Sequence, residues 1–193
     1  MRAFAHLVRM METTSEEEKQ LAMLKSYFRK AEAADINQSV ALLIGRYPKR
    51  LCDQNNLVQS ARDIVLMPDW LFLECLGQVG DLNETIAYIL PSSNNDEELG
   101  LSFWMQEIER ARKMDQIEFA AWLEHSWGKM DNESIFLFNS LISGSFRWKL
   151  SEPLIAKALS QVFELDYFHL SQKLGENWDP NQLAPGFFIS KAI

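Results

Sequence analysis

Phe136 to Leu159 reads FLFNSLISGSFRWKLSEPLIAKAL. Two apolar patterns at helical spacing flank a short turn, Ser143-Gly144-Ser145-Phe146-Arg147-Trp148-Lys149. The turn carries two cations and a tryptophan just ahead of a helix opened by Ser151 and Pro153. Backbone amides at a helix start lack intrahelical partners, and such a place can hold a phosphate.

Working outward, the same helical spacing recurs along the chain. Phe4, Leu7 and Val8 share one side of a short helix over Met1 to Met10. Thr14 with Glu17 and Ser15 with Glu18 have capping-box spacing, and Leu21, Leu24 and Phe28 continue a helix from Ser15 to about Glu32. Asp35 is expected to cap a third helix that Gly45 stops, followed by the basic turn Arg46-Tyr47-Pro48-Lys49-Arg50. A helix over Asn56 to Leu66 precedes one that starts near Pro68 and ends at Gly77 and Gly80. Asp81 and Glu84 open Leu82 to Leu90, and Pro91 closes it. Ser92 to Asp96 is the clearest loop. Helices follow over Ser102 to Met114, Asp115 to Trp127, and from Asp131, with a last one near Tyr167 to Leu174. From Asn177 the pattern fades. Strand alternation and a repeat of fixed period are both missing. The fold class is all-α: a compact irregular array of about eleven short helices, too short for a simple four-helix bundle.

Composition agrees. The chain has 193 residues with 47% hydrophobic, enough for a sizeable core in one domain or a tightly joined pair. Eight glycines and six prolines leave little room for long loops. The formal charge of −8 argues against a domain-wide basic footprint for nucleic acid, though not against a local basic face. Cys52 and Cys75 supply neither a ligand set nor a disulfide framework, and a reducing cytoplasm fits them. The N-terminal stretch is too polar for a signal peptide, and no apolar run reaches the length of a membrane span.

Catalytic signatures are missing. His6, His125 and His169 are isolated, and structural roles are favoured over metal binding. No glycine-rich phosphate loop or nucleophile elbow occurs. Lys129-Met130-Asp131-Asn132 falls short of the K-x-D-G-x-R of nucleotidyl-transferring ligases, because Asn132 replaces the glycine and Ser134 the arginine. Asp131 reads as a helix cap. Glu16-Glu17-Glu18 complements a helix dipole on a solvated face. Most of the six tryptophans sit at core spacing; Trp148 lies between two cations. Two basic clusters remain: Arg46, Lys49 and Arg50, and Arg147 and Lys149 with Lys157 beyond. Composition alone favours solubility or ion pairing for them.

An ordered series of segments resembles the N-terminal DNA-binding domain of bacterial ATP-dependent DNA ligases. It runs from Met1-Arg2-Ala3-Phe4-Ala5 and Tyr27-Phe28-Arg29 through Gly45 to Leu51, Pro68 to Phe72 and Val79 to Ile86. It continues with Phe138-Asn139, Ser143 to Arg147, and Asn177-Trp178-Asp179-Pro180. The resemblance implies an all-α domain over residues 1–180 that grips nicked duplex DNA through its phosphates. Residues 181–193 would be a linker or tail toward a nucleotidyltransferase domain absent from this chain, which acts with an OB-fold domain. ATP and Mg²⁺ are implied for the parent ligase, with no cofactor in this chain, which lacks the adenylation lysine and is expected to be inactive alone. It would be a ligase fragment or a separate homologue of that domain, serving DNA repair, replication or recombination, without a membrane partner.

The expected DNA contacts are Arg46, Lys49, Arg50, Arg147 and Lys149 on phosphates, Gly144 for the freedom of its turn, and Ser151 at the helix start. The family usually has glycine where Lys149 stands, and the Glu16-Glu17-Glu18 run also departs from it. An alternative is an acidic helical interaction domain of the same fold that has lost DNA binding.

Overall fold

In a computed structural model, which describes residues 1–91 and 99–189, every regular element is helical. The described residues form α1 (Arg2–Glu12), α2 (Glu17–Lys30), α3 (Ala33–Leu43), α4 (Gln54–Val65), α5 (Asp69–Val79) and α6 (Leu82–Ile89). They continue with α7 (Leu101–Ala111), α8 (Gln116–Trp127), α9 (Asn132–Ile142), α10 (Glu152–Phe163) and α11 (Tyr167–Gly175). The expected loop at Ser92 to Asp96 falls outside the described residues.

Two helices form the centre. All residues of α3 from Ile36 to Leu43 are buried, as are Ser134, Ile135 and Leu137 to Ile142 of α9. A helix buried on all its sides is a core helix, and the remaining helices pack on these two or on one another. α6 and α1 lie against α9, and α7 lies against α3. α2 and α11 both pack on α10. Trp104 and Trp122 both pack on Phe138, with ring centroids 5.7 and 5.4 Å from it. Trp127 Nε1 donates to Asn139 Oδ1 at 2.8 Å, which pairs the buried indole N–H with the amide oxygen.

Local capping is partly as the residues suggest. Asp115 and Glu118 make a full capping box on α8, and Asp81, Asp131 and Asp166 accept from amides of their own first turns. Three expectations are corrected. α2 starts at Glu17 with Glu16 as its N-cap, so neither capping box forms; Thr14 Oγ1 instead accepts from Glu16 N–H at 3.2 Å. Asp35 lies inside the first turn of α3 and caps a different helix, accepting from the Leu101 and Ser102 amides of α7 at 2.9 and 2.8 Å. Gly77 is internal to α5, which ends at Gly80 in the left-handed region, φ 84°.

The segment after α11 does not trail as a tail through Ile189. Phe188 is fully buried, edge-on to Trp178 at 4.9 Å. Asn37 Nδ2 donates to Ala184 O at 2.8 Å, and Lys173 Nζ donates to Phe187 O at 3.2 Å. This strap closes over α3. Burying a phenylalanine contributes roughly 1.5–3 kcal/mol, enough to hold a segment with no helix of its own.

Candidate nucleic-acid interface

The two central helices end alike. Gly45 (φ 89°) and Gly144 (φ 67°) take the left-handed conformation that side chains resist. Gly45 N–H donates to Leu42 O and Arg46 N–H to Ala41 O. Gly144 N–H donates to Leu141 O and Ser145 N–H to Ser140 O in the same pattern. Both are Schellman endings, which satisfy the last carbonyls of a helix.

The chains leaving these glycines cross and exchange contacts reciprocally. Leu51 N–H donates to Ile142 O at 2.8 Å, and Leu150 N–H donates to Leu43 O at 2.7 Å. A Cβ at Gly45 would meet Lys149 Cδ at 3.4 Å, and one at Gly144 would meet Arg50 Cβ at 3.2 Å. Each glycine is thus covered by the basic stem five residues past the other. Tyr47 and Phe146, both two residues past their glycine, meet edge to face at 5.4 Å. The two turns are related by a local twofold axis. Leu42 to Leu51 (LLIGRYPKRL) and Leu141 to Leu150 (LISGSFRWKL) share Leu, Gly, an aromatic, a cation and Leu at positions one, four, six, nine and ten. That motif is the signal a search for a fixed period misses, because it occurs only twice.

The expected contact residues separate into three groups. Lys49, Arg147 and Lys149 are exposed on the paired turns. Neither ammonium has an ion-pair or hydrogen-bond partner among the described residues, and the Arg147 side chain bonds only the Phe146 carbonyl, at 2.8 Å. Arg50 is exposed but partly neutralised: its guanidinium pairs with Asp53 and donates from Nε to Cys52 O at 2.9 Å. Arg46 has its guanidinium engaged within the chain. It turns away and donates to Trp178 O, Leu174 O and Glu176 O at 2.7, 3.2 and 2.5 Å, with its guanidinium 4.0 Å from the Trp178 ring centroid. It closes the C-terminal end of α11, where a cation suits the helix dipole.

Gly144 provides the reversal of its turn, with φ 67°. Ser151 is the N-cap of α10 but its side chain makes no capping bond, and Pro153 removes one amide from that helix start. The equivalent region on the other side is the start of α4, where the N-cap Asp53 likewise makes no side-chain capping bond and its carboxylate is held by Arg50. Trp148 is half-buried against the core, and its carbonyl accepts from the Tyr47 hydroxyl at 2.9 Å. Burial pushes the Tyr47 hydroxyl pKa up against the opposing charge of Arg147, so it stays a neutral donor. Lys157 lies 3.6 Å from Glu17, so the acidic run sits beside α10 and draws that lysine away from the turns.

Two bracing residues escaped the sequence reading. Arg112, after α7, donates to Lys49 O at 2.6 Å and to Arg50 O at 3.4 Å, while Glu109 holds its Nε at 2.8 Å. Asn83, from the Val79 to Ile86 segment, donates to Ser145 Oγ at 2.8 Å and Ser140 Oγ at 3.3 Å. Each fixes one turn from a helix distant in sequence, and no local pattern announces either.

The fold and this surface together define an all-α domain with a twofold-related pair of glycine-cornered basic turns. No protein-family model matches the chain, and no curated protein matches it. Among the described residues no group of three His, Cys, Asp or Glu could hold a metal ion, and no helix is long and apolar enough to cross a membrane.

Proposed function

We propose that the paired turns bind the phosphate backbone of duplex DNA without reading its sequence, as the binding module of an ATP-dependent DNA ligase. The observation that carries this reading is the reciprocal pairing of the two turns. A surface with a local twofold can present equivalent groups to the two strands of a duplex, whose backbones are themselves twofold related. Arg50 and Lys149 are the equivalent pair so presented, with Lys49 and Arg147 beside them, each on its own turn. Cations on phosphates position a protein but carry no base information. Lys149 fits this better than a glycine would, because it contributes charge at the place Arg50 occupies on the first turn. Sealing of a nick would belong to separate nucleotidyltransferase and OB-fold domains using ATP and Mg²⁺.

The test is fluorescence anisotropy of a labelled nicked duplex at low salt. Arg147→Glu with Lys149→Glu should abolish binding by the folded domain. Unchanged binding would remove the turns from the interface.

A second reading, an acidic interaction domain that has lost DNA binding, draws on the net charge of −8 and on the engagement of Arg46 and Arg50 elsewhere. Under it, the unaltered domain would bind no nicked duplex even at low salt.

A further inference from the structure

The α4–α5 corner breaks two rules of a protein surface at once. Leu66, the C-cap of α4, has φ 50° and is 88% exposed. A left-handed non-glycine residue costs about 1–2 kcal/mol, and a leucine there gains no burial in return. On the following helix Trp70 is 65% exposed and Leu73 63%. Trp70, Leu73 and Gly77 follow helical spacing and lie on one outward face of α5, opposite the buried Phe72. A Cβ at Gly77 would meet nothing within 4 Å, so the row ends in open space one turn past Leu73. Large apolar side chains grouped on one exposed face mark an interaction surface.

The charge around this face selects its occupant. Residues 54–91 contain five carboxylates, Asp63, Asp69, Glu74, Asp81 and Glu84, against one cation, Arg62, and of these Glu84 is held by Arg9 of α1 at 2.8 Å. Arg62 is itself paired with Asp69 and donates to Met67 O. Asp69 and Glu74 are exposed beside Trp70 and Leu73, and Asp63 is exposed one turn before Leu66. A second copy of this face would bring like charges together, and an anionic lipid surface would be repelled.

We propose that the Leu66–Trp70–Leu73 face docks a basic amphipathic helix of a partner protein. Its leucine-like side chains would pack along the α5 ridge and into the gap at Gly77, with lysines or arginines over Asp63 and Glu74. The face lies beyond the end of α4, a helix of twelve residues that spans about 18 Å from the basic turns. It can therefore be occupied independently of DNA, and it stands whether or not the turns bind duplex.

The probe is a synthetic 18-residue Leu/Lys amphipathic helix, with a Leu/Glu helix of the same pattern as control. The Lys peptide should bind and shift tryptophan emission to the blue, and Trp70→Ala should remove most of that shift. Leu73→Glu should weaken binding at least tenfold although it adds negative charge, while Phe168→Glu on α11 should leave it unchanged. The Leu/Glu peptide should not bind. Equal or tighter binding by Leu73→Glu would reduce the effect to plain charge attraction and overturn the proposal. So would a self-associated chain that Leu73→Glu makes monomeric, or Leu73-dependent binding to phosphatidylserine vesicles. Circular dichroism of each variant keeps folding separate from docking.

Discussion

Replacing Arg46 with alanine should damage the strap and leave the duplex-binding surface nearly intact. The guanidinium donates to three backbone carbonyls, of Leu174, Glu176 and Trp178, and stacks on the Trp178 ring. A hydrogen bond to a charged group contributes about 1.5–3 kcal/mol, but the site is only half-buried and the bonds are not additive. A loss of about 2–4 kcal/mol is therefore expected. For a chain of this size each kcal/mol moves Tm by about 2–4 °C, so Tm should fall by roughly 4–16 °C. Thermal and urea unfolding monitored by circular dichroism give the number. Limited proteolysis should cut first between Trp178 and Ile189, because the freed segment loses its anchor. Anisotropy with a nicked duplex, below the new Tm, should change by less than about twofold if Arg46 contributes no phosphate contact. A variant of unaltered stability that loses duplex affinity would refute this placement of Arg46 and return it to the interface.

Both corner glycines should resist alanine. Gly144→Ala forces a left-handed alanine and a 3.2 Å approach to the Arg50 stem, and Gly45→Ala forces the same region at φ 89° with Lys149 Cδ at 3.4 Å and Tyr47 Oη at 3.7 Å, each costing about 1–2 kcal/mol in urea unfolding. Asp131 should make stability acid-sensitive. Burial disfavours its charge, but the Ser134 bonds and the Arg2 guanidinium outweigh that and hold its carboxyl below the ordinary 3.8. Its contribution is present above pH 3.8 and is lost as pH falls through the lower folded value. Asn is an equally good N-cap, so Asp131→Asn should cost about 0.2–1 kcal/mol at neutral pH and close that gap in acid. Cysteine labelling should be ordered too. Burial pushes the Cys52 thiol up to about 12, so a maleimide at pH 7 should modify Cys75 first; faster labelling of Cys52 would contradict the packing around Leu51 and Ile142.

Helix existence was readable because each amphipathic stripe is a local property, set by residues three and four apart. Partners were less readable. Asp35 stands where an N-cap would stand, yet its carboxylate serves α7, more than sixty residues away, and nothing near Asp35 distinguishes the two uses. Arg46 shows the same limit at the candidate site. Beside Lys49 and Arg50 it reads as one more cation, and only the return of the strap gives it three carbonyls. The pairing of the turns was half-legible. The shared spacing of Leu42 to Leu51 and Leu141 to Leu150 is visible in the residues, but the reciprocal bonds that make it a twofold are long-range. Leu66, Trp70 and Leu73 look like core residues in one dimension; the exposure of Trp70 and Leu73 follows from α5 packing on α6, and that of Leu66 from its place at the end of α4.

The salt dependence of nicked-duplex binding tests the paired-turn interface most directly. With Arg46 engaged elsewhere and Arg50 shared with Asp53, three to four cations remain for phosphates, which sets a log–log slope of about −3 to −4. Arg147→Gln with Lys149→Gln should remove about 1.8 from its magnitude and, at 0.1 M salt, lower affinity by about 60-fold. Absence of binding at low salt, or a slope near zero that this double variant leaves unmoved, would contradict it.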